Sequence, residues 1–337
     1  MRKIKRHRRH KKSYILVFPV LCIFFLLASA YAAFTANVNI TVKGNISNIT
    51  GYEMLRNKCQ SANSDSIYKD PYENERCIYK GNAPNNYLTF NNEPWRIIAL
   101  EQDGTIKIIK NTSATTTVNF DDRKTNRYNA SGWCTDKNGC NIYGSSNNTK
   151  DSSGNKIDHF VVGGENIALP KVDSLAKDYL NSTGIYSTSG WYNSIDTNDK
   201  ALIVEHDFKV GPINTSVGNA VAISDLSLDD IIAMEKTYLW SGKVGLINPS
   251  DYQKSLINDT TYLNIETEGN ENHYWYWGIN PITNYRGATV SVYFGIRHGY
   301  VYYGTGSTVG LVPVVFLNGN IYLTGKGSKD SPYIIRK

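Results

Sequence analysis

The sequence predicts an α+β domain of short helices and antiparallel strands, β-rich toward its C-terminus, behind one N-terminal membrane segment. Three observations lead there. Tyr14 to Phe34 carries no charge and directly follows a dense run of Lys and Arg. Asp103-Gly104 and Asn318-Gly319 lie between apolar runs, the pattern of tight turns that need positive φ. Stretches with helical periodicity are present but short.

Eight of the 36 Lys and Arg residues fall in the first twelve positions: Arg2, Lys3, Lys5, Arg6, Arg8, Arg9, Lys11 and Lys12. The remaining 28 face 30 Asp and Glu, so the body is slightly acidic and the basic pI comes from the tail. A nucleic-acid-binding body would carry its own basic patch, and a nucleic-acid partner is not expected. The segment "YILVFPVLCIFFLLASAYAAF", Tyr14 to Phe34, matches the roughly 20 apolar residues that span a bilayer. Positive charge on its N-terminal side places that end in the cytoplasm. A cleaved signal peptide is the alternative, with Tyr14 to Leu27 as its apolar core and Ala28 to Ala30 as the cleavage site. Either reading exports the body, to the outer face of the membrane or into the medium. The expected organisation is a basic cytoplasmic tail over 1–12, a signal peptide or signal-anchor helix over 13–34, a tether or edge strand over 35–52, and an extracellular globular domain over 53–337. The membrane is a partner through Tyr14–Phe34 if that segment is uncleaved.

Cys22 lies in the membrane segment, leaving Cys59, Cys77, Cys134 and Cys140. An even number in an exported body reads as disulfides. Proximity in sequence favours Cys59–Cys77 and Cys134–Cys140. Zinc is the weaker reading: no C-x-x-C spacing occurs, and the nearest histidines are distant in sequence. No metal and no cofactor is expected.

In "PWRIIALEQDGTIKIIKN", Trp95, Ile97 and Ala99 alternate before Asp103-Gly104, and Ile106 and Ile108 alternate after it, which predicts a hairpin. Residues 111–160 are polar and predict long loops pinned by Cys134–Cys140. A helix is expected in "LPKVDSLAKDYLNST", with Val172, Leu175, Tyr179 and Leu180 on one face. Another is expected in "SLDDIIAMEKTYL", where Ser227 and Asp230 form a capping pattern ahead of Ile231, Ile232, Met234 and Leu239. A third starts at Ser250 as N-cap. "ATVSVYFGIRHGYVYYG" predicts two strands about a turn at Arg297 to Gly299. "LVPVVFLNGNIYLTG" predicts a hairpin at Asn318-Gly319, and Pro313 assigns its first arm to an edge or a bulge.

The chemistry-bearing patterns are sparse. Glu205-His206-Asp207 suggests an acid–base cluster, but neighbours on a strand point to opposite faces, so His206 would meet neither carboxylate. "DSSGNKID", Asp151 to Asp158, lacks the alternating ligands of a calcium loop and reads as a solvated turn. No nucleophile elbow or phosphate loop occurs, and no catalytic residue is assigned. "ENHYWYWGINP" packs Tyr274, Trp275, Tyr276 and Trp277 into consecutive positions. Alternation sends the tyrosines to one face and the tryptophans to the other. One face in the core and one partly open is the favoured arrangement; both faces buried is the second.

Several segments resemble a family of exported, mostly uncharacterised proteins of Gram-positive commensal bacteria. They are "NNYLTFNNEPWRIIAL", "GCNIYG" (Gly139 to Gly144), "SGKVGLINPSDY" (Ser241 to Tyr252) and the ending from Pro313 to Ile335. The resemblance implies a C-type-lectin-like fold, related to formylglycine-generating enzymes, with a ligand-facing C-terminal region. There it suggests Tyr274, Trp275, Tyr276, Trp277, Arg286, His298, Tyr300 and Tyr302 as ligand-binding residues. The chain departs at Val312, where the family carries arginine. No cysteine follows Cys140, so sulfatase-activating chemistry is not implied, and the calcium-binding Trp-Asn-Asp signature is absent.

The expected function is an exported binding protein that recognises a glycan or a protein through its aromatic C-terminal half. An extracellular glycan hydrolase, with Glu205, Asp207 and Glu266 as suspects, is the alternative. A structural subunit of a surface fibre is the third reading.

Overall fold

A computed structural model describes residues 49–61, 66–115, 118–121, 141–213, 226–265, 276–282 and 310–336, and the backbone of 288–293 and 299–304. The elements run in the order α1 (Gly51–Gln60), β1 (Ile67–Lys69), β2 (Cys77–Tyr79), β3 (Tyr87–Phe90), β4 (Glu93–Leu100), β5 (Thr105–Lys110), β6 (Thr149–Asp151), β7 (His159–Val162), β8 (Glu165–Ala168) and α2 (Leu175–Asn181). Then come α3 (Thr197–Lys200), β9 (Ile203–Val204), β10 (His206–Lys209), α4 (Leu228–Glu235), β11 (Tyr238–Gly242), β12 (Val244–Gly245) and α5 (Pro249–Lys254). Strands β13 (Tyr276–Pro281), β14 (Ala288–Tyr293), β15 (Gly299–Gly304), β16 (Val314–Asn318), β17 (Tyr322–Thr324) and β18 (Tyr333–Arg336) complete the chain. This is α+β, with short helices and a curled sheet rich in antiparallel pairs.

The hairpin at Asp103-Gly104 is the centre of the main sheet. Gly104 takes φ +87°, and the Asp103 carboxylate accepts hydrogen bonds from the Thr105 N–H (3.0 Å) and hydroxyl (2.7 Å). The principal order is β12-β16-β5-β4-β3-β18-β17, with β2 also pairing β4, β1 pairing β2, and β9 pairing β16. A register shift between Ile97 and Ala99 bends β4, so that its first half pairs β3 and its end pairs β2. Strand β18 lies parallel to β3, which brings the C-terminal strand beside the early ones. Smaller sheets are β10-β11-β6, β13-β14-β15 and β7-β8.

Several local expectations hold, each for a visible reason. Ser227 caps α4 by accepting the Asp230 N–H at 3.1 Å. Strands β14 and β15 pair from Ala288↔Gly304 to Tyr293↔Gly299. Cys59 and Cys77 form a disulfide that ties α1 to β2. Cys134 and Cys140 lie outside the described residues, as do Tyr14–Phe34 and Cys22. Among the described residues no helix is long and apolar enough to cross a membrane.

Other expectations are corrected. Asn318-Gly319 makes a turn but not a hairpin: β16 pairs β5, β9 and β12, whereas β17 pairs β18. A side chain at Gly319 would collide with the Gly104 carbonyl, so glycine is needed for the approach of two turns. Pro313 sits one residue ahead of β16, where its missing N–H costs no ladder bond, and β16 is an interior strand. Helix α5 is capped at Asn248 with Pro249 at its first turn, and Ser250 lies inside it. Val172 is exposed ahead of α2, and Leu239 belongs to β11. Thr50, in the stretch read as a tether, caps α1 through a capping box with Glu53.

The core contains charge as well as apolar side chains. Arg76 is buried and meets Asp70 (2.9 Å), Glu101 (2.8 Å) and Asp251 (2.7 Å). Lys107 reaches Asp251 at 2.6 Å, Lys254 reaches Asp70 and Glu73, and Lys209 reaches Glu73 at 2.6 Å. Four cations thus answer four carboxylates, and the cluster joins the β1–β2 loop, the β4–β5 turn, β5, β10 and α5. Burial opposes the charge of Asp251, but Lys107 and Arg76 outweigh it and hold the carboxyl well below the usual range.

Candidate functional site

Every residue of β13 is buried, and Tyr276 and Trp277 are both 0 % exposed although they point to opposite faces. The Tyr276 hydroxyl donates to the Leu263 carbonyl at 2.5 Å, and Trp277 packs edge-on against Phe120 at 5.5 Å. The expectation of one open face therefore fails for this pair: the strand is covered on both sides. Strand β14 pairs one edge of β13, and the Ile247 and Gly310 carbonyls accept from Ile279 and Trp277 along the other. Tyr274, Trp275, Arg286 and His298 lie outside the described residues; Tyr300 and Tyr302 lie on β15, opposite Val292 and Val290.

In Glu205-His206-Asp207 the histidine meets neither neighbouring carboxylate. His206 stacks on Phe316 (3.6 Å, 8°), and its Nε2 meets the Asp103 carboxylate at 3.0 Å. Its Nδ1 approaches the backbone carbonyl of Asp207, not the carboxylate. Asp207 pairs instead with Lys150 (2.8 Å) and accepts from the Ser241 hydroxyl (2.6 Å). Burial works against its charge, yet those two contacts hold its carboxyl below the ordinary value. Glu205 is exposed and free of hydrogen bonds or ion pairs to any described residue. Glu266 lies outside the described residues.

Glu205 faces a cleft of about 230 Å³ that the opening of "SGKVGLINPSDY" builds with α2 and the turn after it. Strand β11 supplies Trp240, Ser241 and Gly242, and Lys243 follows. Trp240 lies flat because Gly144 and Gly242 leave room: a Cβ at either would overlap its indole. Tyr143, from "GCNIYG", meets Trp240 edge-on at 5.1 Å and donates to the Val244 carbonyl at 2.9 Å. The Asn181 amide clamps α2 to β12, accepting from the Val244 N–H (3.1 Å) and donating to its carbonyl (2.9 Å). Lys177 is held by Asp173 and by Thr183 at 3.1 Å. Burial of Asp173 resists ionisation, but Lys177 and the Ser145 N–H lower its pKa.

One wall of the cleft is different, because its groups are not used up by the fold. Tyr192 is half-buried, with Lys243 Nζ 3.3 Å from its hydroxyl and 5.6 Å from its ring centroid. Lys200 Nζ sits 5.3 Å from the same centroid. Asn148 also lines the cleft; its backbone bonds Ser145 and Ser241, and its side-chain amide bonds to no described residue. A ring edge, an ammonium, a carboxylate and an amide thus face one open space. Among the described lining residues Glu205 is the only carboxylate, whereas acid–base glycoside hydrolysis uses two.

Family models, curated proteins and solved structures contain no match to this chain. Among the described residues no group of three His, Cys, Asp or Glu side chains is placed to hold a metal ion. The Asp151 turn spends its carboxylate on its own backbone, accepting the N–H groups of Ser153 and Asn155, both at 2.9 Å. Sequence reasoning singled out Glu205 and the segment containing Lys243 but missed Tyr192. The only local signal there is an aromatic pair, Trp191-Tyr192, whose first ring is buried and second is not.

Proposed function

We propose that the chain is an exported binding protein, at the cell surface or secreted, that recognises a glycan through the Tyr192 cleft. The observation that carries this reading is the set of Tyr192, Lys243, Glu205 and Asn148 around one open space floored by Trp240; beyond the Lys243–Tyr192 contact, the side-chain polar groups of these four bond to no described residue. The polar side chains suit the hydroxyls of a sugar, and the partly exposed Tyr192 ring offers apolar contact beside them. The uncharged run from Tyr14 to Phe34 behind a basic tail, together with the Cys59–Cys77 disulfide, supports export. Short helices and a β-rich ending support a C-type-lectin-like fold. With Tyr276 and Trp277 buried, the ligand-facing role moves from β13 to the cleft.

A glycan array probed with the purified protein tests this. Tyr192→Ala should weaken the strongest hit by about thirtyfold, the size of a binding hot spot. Unchanged binding by that variant would remove the cleft from the reading.

A further inference from the structure

We propose that the sugar taken by the Tyr192 cleft carries a carboxylate, as a uronic acid does, and that Lys243 meets the acid group. This rests on reading the cleft as a saccharide site.

Two of the lysines near the cleft are already neutralised. Lys150 and Lys177, the nearby lysines, are paired with Asp207 and Asp173. Lys243 and Lys200 pair with no described carboxylate: Lys243 touches the Tyr192 hydroxyl, and Lys200 donates to the Asn193 carbonyl at 3.3 Å. Two uncompensated positive charges are therefore gathered on one ring, and contact with the ring limits their freedom. An anion arriving there gains a charge-assisted hydrogen bond with part of the ordering cost already met. Glu205 fixes the polarity of the site. A ligand acid placed against it would be repelled, whereas sugar hydroxyls can donate to it. That leaves Lys243 for the acid and Glu205 with Asn148 for the hydroxyls. The volume of about 230 Å³ lies below the ~300 Å³ where drug-sized pockets begin, which suits one ring rather than a long chain.

Glucose and glucuronate form the decisive pair, because they differ only at the C6 carboxylate. Calorimetric titration of the purified protein with each should show glucuronate tighter by about tenfold or more, the scale of a charge-assisted contact over a neutral one. The preference should shrink as salt is raised from 20 to ~500 mM. Lys243→Met should bring glucuronate down to the level of glucose and remove the salt dependence of the difference, with the fold of the variant checked by its urea midpoint. Because Lys243 is exposed, that midpoint should match the wild type. Equal affinity for the two sugars in the wild type, or a preference that survives Lys243→Met, would overturn the acid assignment and leave the saccharide reading standing. Failure of every sugar, on the array and in titration, would overturn both.

Discussion

Glu235 offers the sharpest test of the packing. It ends α4 fully buried, and both its carboxylate oxygens are engaged by Ser250 of α5, through the backbone N–H at 2.8 Å and through the hydroxyl. Burial pushes its pKa from 4.5 up to about 7; the Ser250 hydrogen bonds and Lys209 pull the other way, and Asp251 adds to the rise. The consequence for stability has a definite sign. Below pH ~4.5 the group is protonated in both folded and unfolded chains. Between there and pH ~7 the folded chain keeps a proton that the unfolded chain has released, so folding loses free energy as pH rises. Moving from 4.5 to about 7 corresponds to about 3 kcal/mol, an upper figure because the native site can relax. Glu235→Gln keeps the shape, offers the Ser250 N–H an acceptor and donates to its hydroxyl, but cannot ionise. Urea unfolding of both proteins at pH 5, 6, 7 and 8 measures the difference. The variant should gain on the wild type by up to about 3 kcal/mol between pH 5 and pH 8. Parallel pH profiles would refute the reasoning, since every other titrating group is common to both.

Two further perturbations address the frame around the site. Reducing Cys59–Cys77, which closes a loop of sequence separation 18, should cost about 3 kcal/mol on the chain-entropy estimate, read as a lower urea midpoint with dithiothreitol. Arg76→Met would strand Glu101 and leave Asp70 and Asp251 with only Lys254 and Lys107, and should cost about 3–5 kcal/mol at pH 7; a loss below ~1 kcal/mol would mean the cluster is hydrated rather than closed.

What was legible in the sequence is what depends on neighbours in sequence. The Asp103-Gly104 turn and the Ser227 cap are written in two to four consecutive residues, and both form. Thr50-x-x-Glu53 was equally local, but the polar stretch before it masked the capping box that starts α1. Asn318-Gly319 shows the limit of the dipeptide rule. The turn forms, yet β16 is claimed by β5 and β12, and pairing depends on competing partners rather than on the turn. The ionic cluster could not be read at all. Arg76 and Asp251 are 175 positions apart, and each alone looks like an ordinary surface residue.

The same distinction explains why "ENHYWYWGINP" drew attention and the cleft did not. Alternation assigns Tyr276 and Trp277 to opposite faces, but whether a face is open depends on what covers it. Phe120 covers Trp277 and the Leu263 carbonyl engages Tyr276, both from segments with no sequence relation to β13. Dense aromatics in a sheet domain therefore mark where coverage is needed, and they are consumed by it. A binding surface shows the opposite property: polar groups that folding leaves unsatisfied. Tyr192, Lys243, Glu205 and Asn148 come from four separate segments that meet at one cleft, beside the clamp of Asn181 on Val244 and the glycine-made bed of Trp240.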